Sequence, residues 1–139
     1  MRSRTITLAV MALFAVGLTA SAVDAAPLPT GTWGCSANGF AVNFVIGGVS
    51  PAGVLTSTSF GGSTVFGGYD SNTNRITFIR QGPGDRSTDQ TYVGYMFAIA
   101  NTPTPTQTEF ILAGHFIAFP GTGGTAARPE YGWACALVQ

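Results

Sequence analysis

Short runs of alternating apolar and polar residues, separated by turn residues, constrain the fold of this chain more than any other feature. Beyond residue 25 no apolar pattern repeats at helical spacing, and glycine, proline and asparagine clusters interrupt the runs. The predicted strands are residues 31–36, 39–47, 54–60, 63–70, 75–81, 91–100, 109–119 and 131–138. Eight strands joined by hairpin-length turns predict an all-β fold, a single antiparallel up-and-down β-barrel.

The first residues have the pattern of a secretory signal peptide. Arg2 and Arg4 precede an apolar run over residues 6–18, which is too short to span a bilayer, and small residues follow. We expect cleavage after Ala22 or Ala25, which leaves residues 26–139 as one domain in the periplasm or the medium. An uncleaved membrane anchor is the alternative, and no stop-transfer run follows to support it.

Two cysteines lie near opposite ends of the predicted domain. In an exported protein such thiols tend to pair, so we expect a disulfide between Cys35 and Cys135, with two buried free thiols as the alternative. These residues fall in the first and last predicted strands, which are neighbours in a closed barrel and far edges in an open meander. The predicted disulfide therefore favours closure, and a sandwich that brings its termini together is the second choice.

Charge is sparse in this chain. Only 9% of the residues are charged, and every basic residue is an arginine. No basic patch is available for phosphate contacts, which argues against nucleic acid as a partner.

Strands 91–100 and 109–119 are apolar on both faces, one bearing Tyr92 and Phe116 and the other Tyr95 and Phe97. A single barrel in water should have a polar outer face, so we expect a homo-oligomer.

The order of several motifs resembles the avidin and streptavidin family over nearly the whole predicted domain. The matching stretches are the Gly31-Thr32-Trp33 opening, "VLTSTSF", "GGYDS", "QTYVGYMF" and the late Trp133. The resemblance implies an avidin-like barrel, an oligomer and an interior lined by aromatic side chains. At the positions of that family's ureido-binding asparagine, serine and tyrosine, this chain has Cys35 or Ser36, Asn38 or Gly39, and Ser59 or Phe60. Because this polar trio is not reproduced, we expect no tight biotin binding.

The candidate ligand contacts follow from the same resemblance and from the strand pattern. Tyr92, Phe116 and Trp133 fall where the family has aromatic walls, while Asn43 and Thr77 are polar strand residues that could orient a ligand. An eight-stranded barrel is just wide enough to be packed solid or to hold one small ligand. We therefore expect an exported, non-enzymatic barrel that binds a small apolar or aromatic ligand at its mouth. The alternative is a solid structural or protein-interaction barrel, such as an inhibitor or envelope component.

Enzymatic chemistry has little support in the sequence. His115 is the single histidine, it lies within an apolar strand, and no nucleophile is linked to it by a recognisable motif. The sequence also offers too few ligands for a zinc site, and the glycine pairs at 61–62 and 67–68 precede no helix that would complete a phosphate loop. We expect no catalytic residues, no metal and no cofactor.

Overall fold

The computed structural model of the chain describes residues 26–82, 89–100, 108–118 and 130–138, and all regular structure within these residues is β. The predicted signal peptide, residues 1–25, lies outside the described residues. The strands are β1 (Gly31–Ala37), β2 (Phe40–Ile46), β3 (Gly48–Val49), β4 (Leu55–Thr56), β5 (Ser59–Phe60), β6 (Ser63–Asp70), β7 (Arg75–Arg80), β8 (Gln90–Ala100), β9 (Thr108–Ala118) and β10 (Glu130–Leu137).

Eight of these strands form a closed antiparallel barrel, as the strand pattern predicts. The order around the barrel is β1-β10-β9-β8-β7-β6-β5-β2, and each neighbouring pair is antiparallel. Every strand therefore pairs with the next barrel strand in the sequence, and β1 meets β10 to close the ring. Closure pairs the two strands that would otherwise be exposed sheet edges.

The predicted strand at residues 54–60 was wrong in detail. It is divided into β4, which pairs with β3 in a separate two-stranded sheet, and β5, which belongs to the barrel. The division falls at Ser57, whose φ of 50° is incompatible with a continuous strand. Beside it, the Thr58 hydroxyl donates a hydrogen bond to the Thr56 carbonyl at 3.0 Å. A local side-chain bond of this kind competes with the strand ladder.

The predicted disulfide is present at the seam of the barrel. Cys35 and Cys135 lie directly opposite each other where β1 pairs with β10, and their side chains are bonded and buried on the inner face. The two residues are 100 positions apart. In the chain-entropy model, closing a loop of that length stabilises the fold by about 4.7 kcal/mol.

Aromatic rings fill the middle of the barrel. Burial alternates along β1, β7 and β10, so that every second side chain points inward. The inward rings are Trp33, Phe44, Phe60, Phe78, Tyr92, Phe116 and Trp133, each at most 4% exposed. Their contacts are direct: Tyr92 stacks on Phe78 with 4.6 Å between ring centroids and on Phe116 with 4.7 Å. Such pairs add to the stabilisation that burial of their surface provides.

Trp133 lies against the sheet in a gap left by Gly94. Gly94 and Gly114 face each other across β8 and β9, and the Trp133 indole N–H is shared between the carbonyls of Val93, at 3.2 Å, and His115, at 3.1 Å. A β-carbon at Gly94 would lie 2.6 Å from the Trp133 ring. The absence of a side chain at this position is therefore what lets the indole lie against the sheet.

The segment before β1 packs over one end of the barrel. Leu28 is buried in the core, the Tyr69 hydroxyl donates to the Ala26 carbonyl at 2.7 Å, and the Trp33 indole N–H donates to the Pro29 carbonyl at 3.3 Å. Trp33 and Tyr69 lie on non-adjacent strands, β1 and β6. The segment thus reaches across this end, whereas no described segment crosses the opposite end, which we call the barrel mouth. No helix long and apolar enough to cross a bilayer occurs among the described residues.

Replacing Gly94 tests the packing of Trp133. Gly94→Ala should lower the free energy of unfolding by about 1–3 kcal/mol, because the added carbon overlaps the indole ring and the Ala113 carbonyl. Gly132→Ala is the matched control, since its β-carbon would have its nearest neighbour at 4.0 Å, and we expect a change within about 0.5 kcal/mol. Urea unfolding followed by tryptophan fluorescence measures both. Equal stability of the two variants would contradict this account of the glycine gap.

Candidate ligand-binding site at the barrel mouth

The open end of the barrel is framed by two tight hairpin turns. Asn38 and Gly39 join β1 to β2, and Gly61 and Gly62 join β5 to β6. All four residues have positive φ, between 49° and 80°, which is the backbone of the two-residue turns that match the twist of antiparallel strands. The ends of β7 and β9 and the starts of β8 and β10 complete the rim.

A cavity of about 610 Å³ lies inside this rim. Small residues, including Ala37 and Ala118, line its sides, and aromatic rings line its floor. The rings that border the cavity are Phe60, Tyr92, Phe116 and Tyr131, to which the exposed Phe40 adds an edge at the turn. At the mouth, small inward residues such as Ala37 and Ala118 leave space that aromatic side chains fill in the middle of the barrel.

The structure brings together the three aromatic residues that the sequence nominated. Tyr92 stacks on Phe116 and meets the edge of Trp133 with 5.8 Å between ring centroids. Because these rings contact one another directly, no gap remains between them for a further ring. Tyr92 and Phe116 border the cavity from below, while Trp133 lies deeper and does not line it. A ligand at the mouth would rest on the first two.

The two polar residues nominated from the sequence lie elsewhere. Asn43 and Thr77 alternate with buried residues on β2 and β7, and both side chains are exposed on the outer face. Asn43 reaches only the margin of the cavity, where its backbone carbonyl accepts a hydrogen bond from the Gly61 N–H at 2.8 Å. Thr77 lies beside Tyr95 along a separate outer groove. Neither side chain joins the aromatic floor.

Polar groups of the cavity come instead from Arg80 and Gln90, which the sequence reasoning missed. Arg80 donates through Nη1 to Gln90 Oε1 at 3.0 Å and through Nε to the Phe60 carbonyl at 3.2 Å. The Tyr92 hydroxyl donates to the same Gln90 oxygen at 2.9 Å. The alternation along β7 could have identified Arg80 as an inward residue. It lies at an even-numbered position, as the buried Ile76 and Phe78 do, and alternate residues of a strand face the same side.

Tyr92 is a neutral hydrogen-bond donor in this arrangement. Burial raises the pKa of Tyr92 to about 12, against the opposing influence of the positive charge of Arg80. The phenol therefore keeps its proton throughout the physiological range. It fixes the orientation of the Gln90 amide, whose oxygen faces both the phenol and the guanidinium.

The remaining candidate residues lie apart from the cavity. His115 points outward, with its Nδ1 3.7 Å from Glu130 Oε1, and both side chains are about half exposed or more. Asp89, next to Gln90, is buried and accepts a hydrogen bond from the Gly82 N–H at 3.1 Å. Within the described ranges, no three potential metal-ligating side chains lie together.

The closed eight-stranded barrel is compatible with an avidin-like fold. Models of known protein families, curated proteins and solved structures provide no match to this chain. The site is a cavity with an aromatic floor and a hydrogen-bonded group of polar side chains.

Proposed function

We propose that this protein is an exported, non-enzymatic β-barrel that binds a small ligand with an apolar or aromatic body at the barrel mouth. The observation that carries the proposal is the cavity of about 610 Å³ above the Tyr92 and Phe116 rings. This volume falls within the range of about 300–1,000 Å³ that is usual for small-molecule sites. The packed rings below the cavity limit the ligand to the mouth.

The disulfide supports export. Disulfides persist in oxidising compartments such as the periplasm and the extracellular medium, and the Cys35–Cys135 bond joins the two strands that close the barrel. Together with the signal-peptide pattern of residues 1–25, it favours a secreted or periplasmic protein. A binding protein there would act on compounds that it meets outside the cytoplasm.

A solid structural or protein-interaction barrel is the second candidate function. It is favoured by the direct ring contacts that leave no space in the middle of the barrel, and by exposed apolar side chains outside it. In that case the mouth would hold only water. The two candidates differ in whether the cavity has affinity for small aromatic compounds.

Blocking the cavity distinguishes the two candidates. We expect N-phenylnaphthylamine, an uncharged aromatic probe, to bind the wild-type protein with increased fluorescence. Ala118→Trp should weaken this binding by at least about tenfold, because Ala118 lines the mouth and a bulky side chain there would occupy the ligand volume.

Biotin is tested by adding it as a competitor of the fluorescent probe. We expect a dissociation constant for biotin no lower than micromolar, since Cys35 is in a disulfide and Ser36 is exposed on the outer face.

The matched control for Ala118→Trp is Val45→Trp, which places the same side chain on the outer face of β2, away from both the cavity and the apolar face of β8. Binding by this variant should equal that of the wild type. Equal binding by Ala118→Trp would place the probe on the outer surface, and absence of binding to the wild type would favour the structural candidate.

We also propose that the barrel self-associates through the outer face of β8 and its neighbours. Phe97 is 50% exposed and Tyr95 46% exposed on β8, and Phe66 and Ile79 are paired exposed residues nearer the mouth on β6 and β7. Apolar patches of this kind on soluble proteins mark interaction sites. A second copy is the partner that the sparse charge of the chain favours.

Sedimentation velocity tests this assembly. The wild-type protein should sediment as an oligomer at micromolar concentration, and Phe97→Lys should shift it to monomer because a charge buried in the interface lacks a partner. Val45→Lys on the outer face of β2 should leave the oligomer intact. A monomeric wild-type protein would rule out the proposed interface.

A further inference from the structure

The barrel mouth contains a positive charge that points inward. Arg80 ends β7 with the same parity as Ile76 and Phe78, so its side chain enters the barrel lumen at the rim and lines the cavity. It is partly buried there. A charged side chain at an inward position is costly unless a partner compensates its charge.

The protein holds this guanidinium in place with neutral acceptors. Nε donates to a backbone carbonyl, and Nη1 donates to the amide oxygen of Gln90, which the Tyr92 hydroxyl also contacts. Both acceptors are uncharged, so neither neutralises Arg80. These bonds orient the guanidinium plane before any ligand arrives, so that binding costs less conformational entropy of the Arg80 side chain.

The remaining guanidinium nitrogen, Nη2, lies at the rim. Nη2 lies beside the Gly61 turn at the rim, 3.8 Å from where a β-carbon of Gly61 would be. Gly61 and Arg80 both line the cavity. The two bonds described above use two of the five N–H groups that a guanidinium carries. Asp89, the acid next to Gln90, accepts from the Gly82 N–H.

We propose that the ligand of this site is a small aromatic compound that carries one oxyanion, such as a carboxylate or sulfonate, and that Arg80 binds this group. The inference rests on the proposed function and names the ligand class of the same cavity. The aromatic body lies on Tyr92 and Phe116, while the oxyanion meets the guanidinium at the rim. Planar guanidinium groups bind such oxyanions with short, charge-assisted hydrogen bonds.

A purely structural role for Arg80 is the competing explanation. In that role its bonds to Phe60 and Gln90 would only tie the ends of β5, β7 and β8 together. Removing the guanidinium would then reduce stability, and it would affect charged and uncharged ligands equally. A pair of probes that differ in one charged group separates the two roles.

Anilinonaphthalenesulfonate and N-phenylnaphthylamine form such a pair, since they share a ring system and only the first carries a sulfonate. Arg80→Met keeps most of the apolar length of the side chain and removes its charge. We expect this variant to bind the sulfonate at least about tenfold more weakly than the wild type and the uncharged probe within about twofold of it. Fluorescence titration measures both affinities.

Arg75→Met is the matched control at the other end of β7, where Arg75 is exposed and faces outward. It should leave the affinity for both probes unchanged. In the wild-type protein, raising the ionic strength from about 0.01 M to about 1 M should weaken binding of the sulfonate and spare the uncharged probe. This salt dependence also tests the inference if circular dichroism shows that Arg80→Met does not fold.

Each outcome distinguishes this inference from the proposed function. Failure of both probes to bind the wild-type protein would contradict the proposed function itself. Binding of both probes to the wild type with equal effects of Arg80→Met on the two affinities would preserve the apolar site and overturn the role of Arg80. Loss of sulfonate affinity in Arg75→Met would place the anion on the outer surface and likewise overturn it.

Discussion

Closure of the sheet between β1 and β10 is the constraint on which the rest of the structure depends. Once the ring is closed, alternate residues of every strand must face a lumen whose width is set by eight strands. The Cys35–Cys135 disulfide lies in the middle of this seam and prevents the two strands from separating. An open sheet could bury the same residues against a second layer, but a closed one must fill its own interior.

Different residues fill the lumen at different depths, and this gradient determines where a ligand can bind. Leu28 and Trp33 lie toward the covered end, and stacked rings centred on Tyr92 occupy the middle. At the mouth the inward residues are small, such as Ala118, or polar, such as Arg80. The barrel thus combines a packed aromatic floor with a hydrogen-bonded rim. A floor that does not have to rearrange favours binding of flat, rigid compounds.

The alternation of apolar and polar residues was enough to predict the barrel, and the two cysteines of a chain with a signal-peptide pattern were enough to predict the disulfide, but neither gave the details of the site. The break at Ser57 was missed because a non-glycine residue with positive φ has no reliable sequence signal. Asn43 and Thr77 were chosen for their polarity, yet alternation defines two faces without saying which is inside. Arg80 was overlooked although the buried Phe78 shares its parity, because a charged residue at a strand end usually faces solvent.

A crystal structure of the protein with bound anilinonaphthalenesulfonate tests the central claim most directly, since it locates the ligand relative to both the floor and the rim. The account predicts one molecule inside the mouth, with its rings on Tyr92 and Phe116 and a sulfonate oxygen about 3 Å from a guanidinium nitrogen of Arg80. Density only on the outer apolar face near Phe97, or at the mouth with the sulfonate turned away from Arg80, would contradict it.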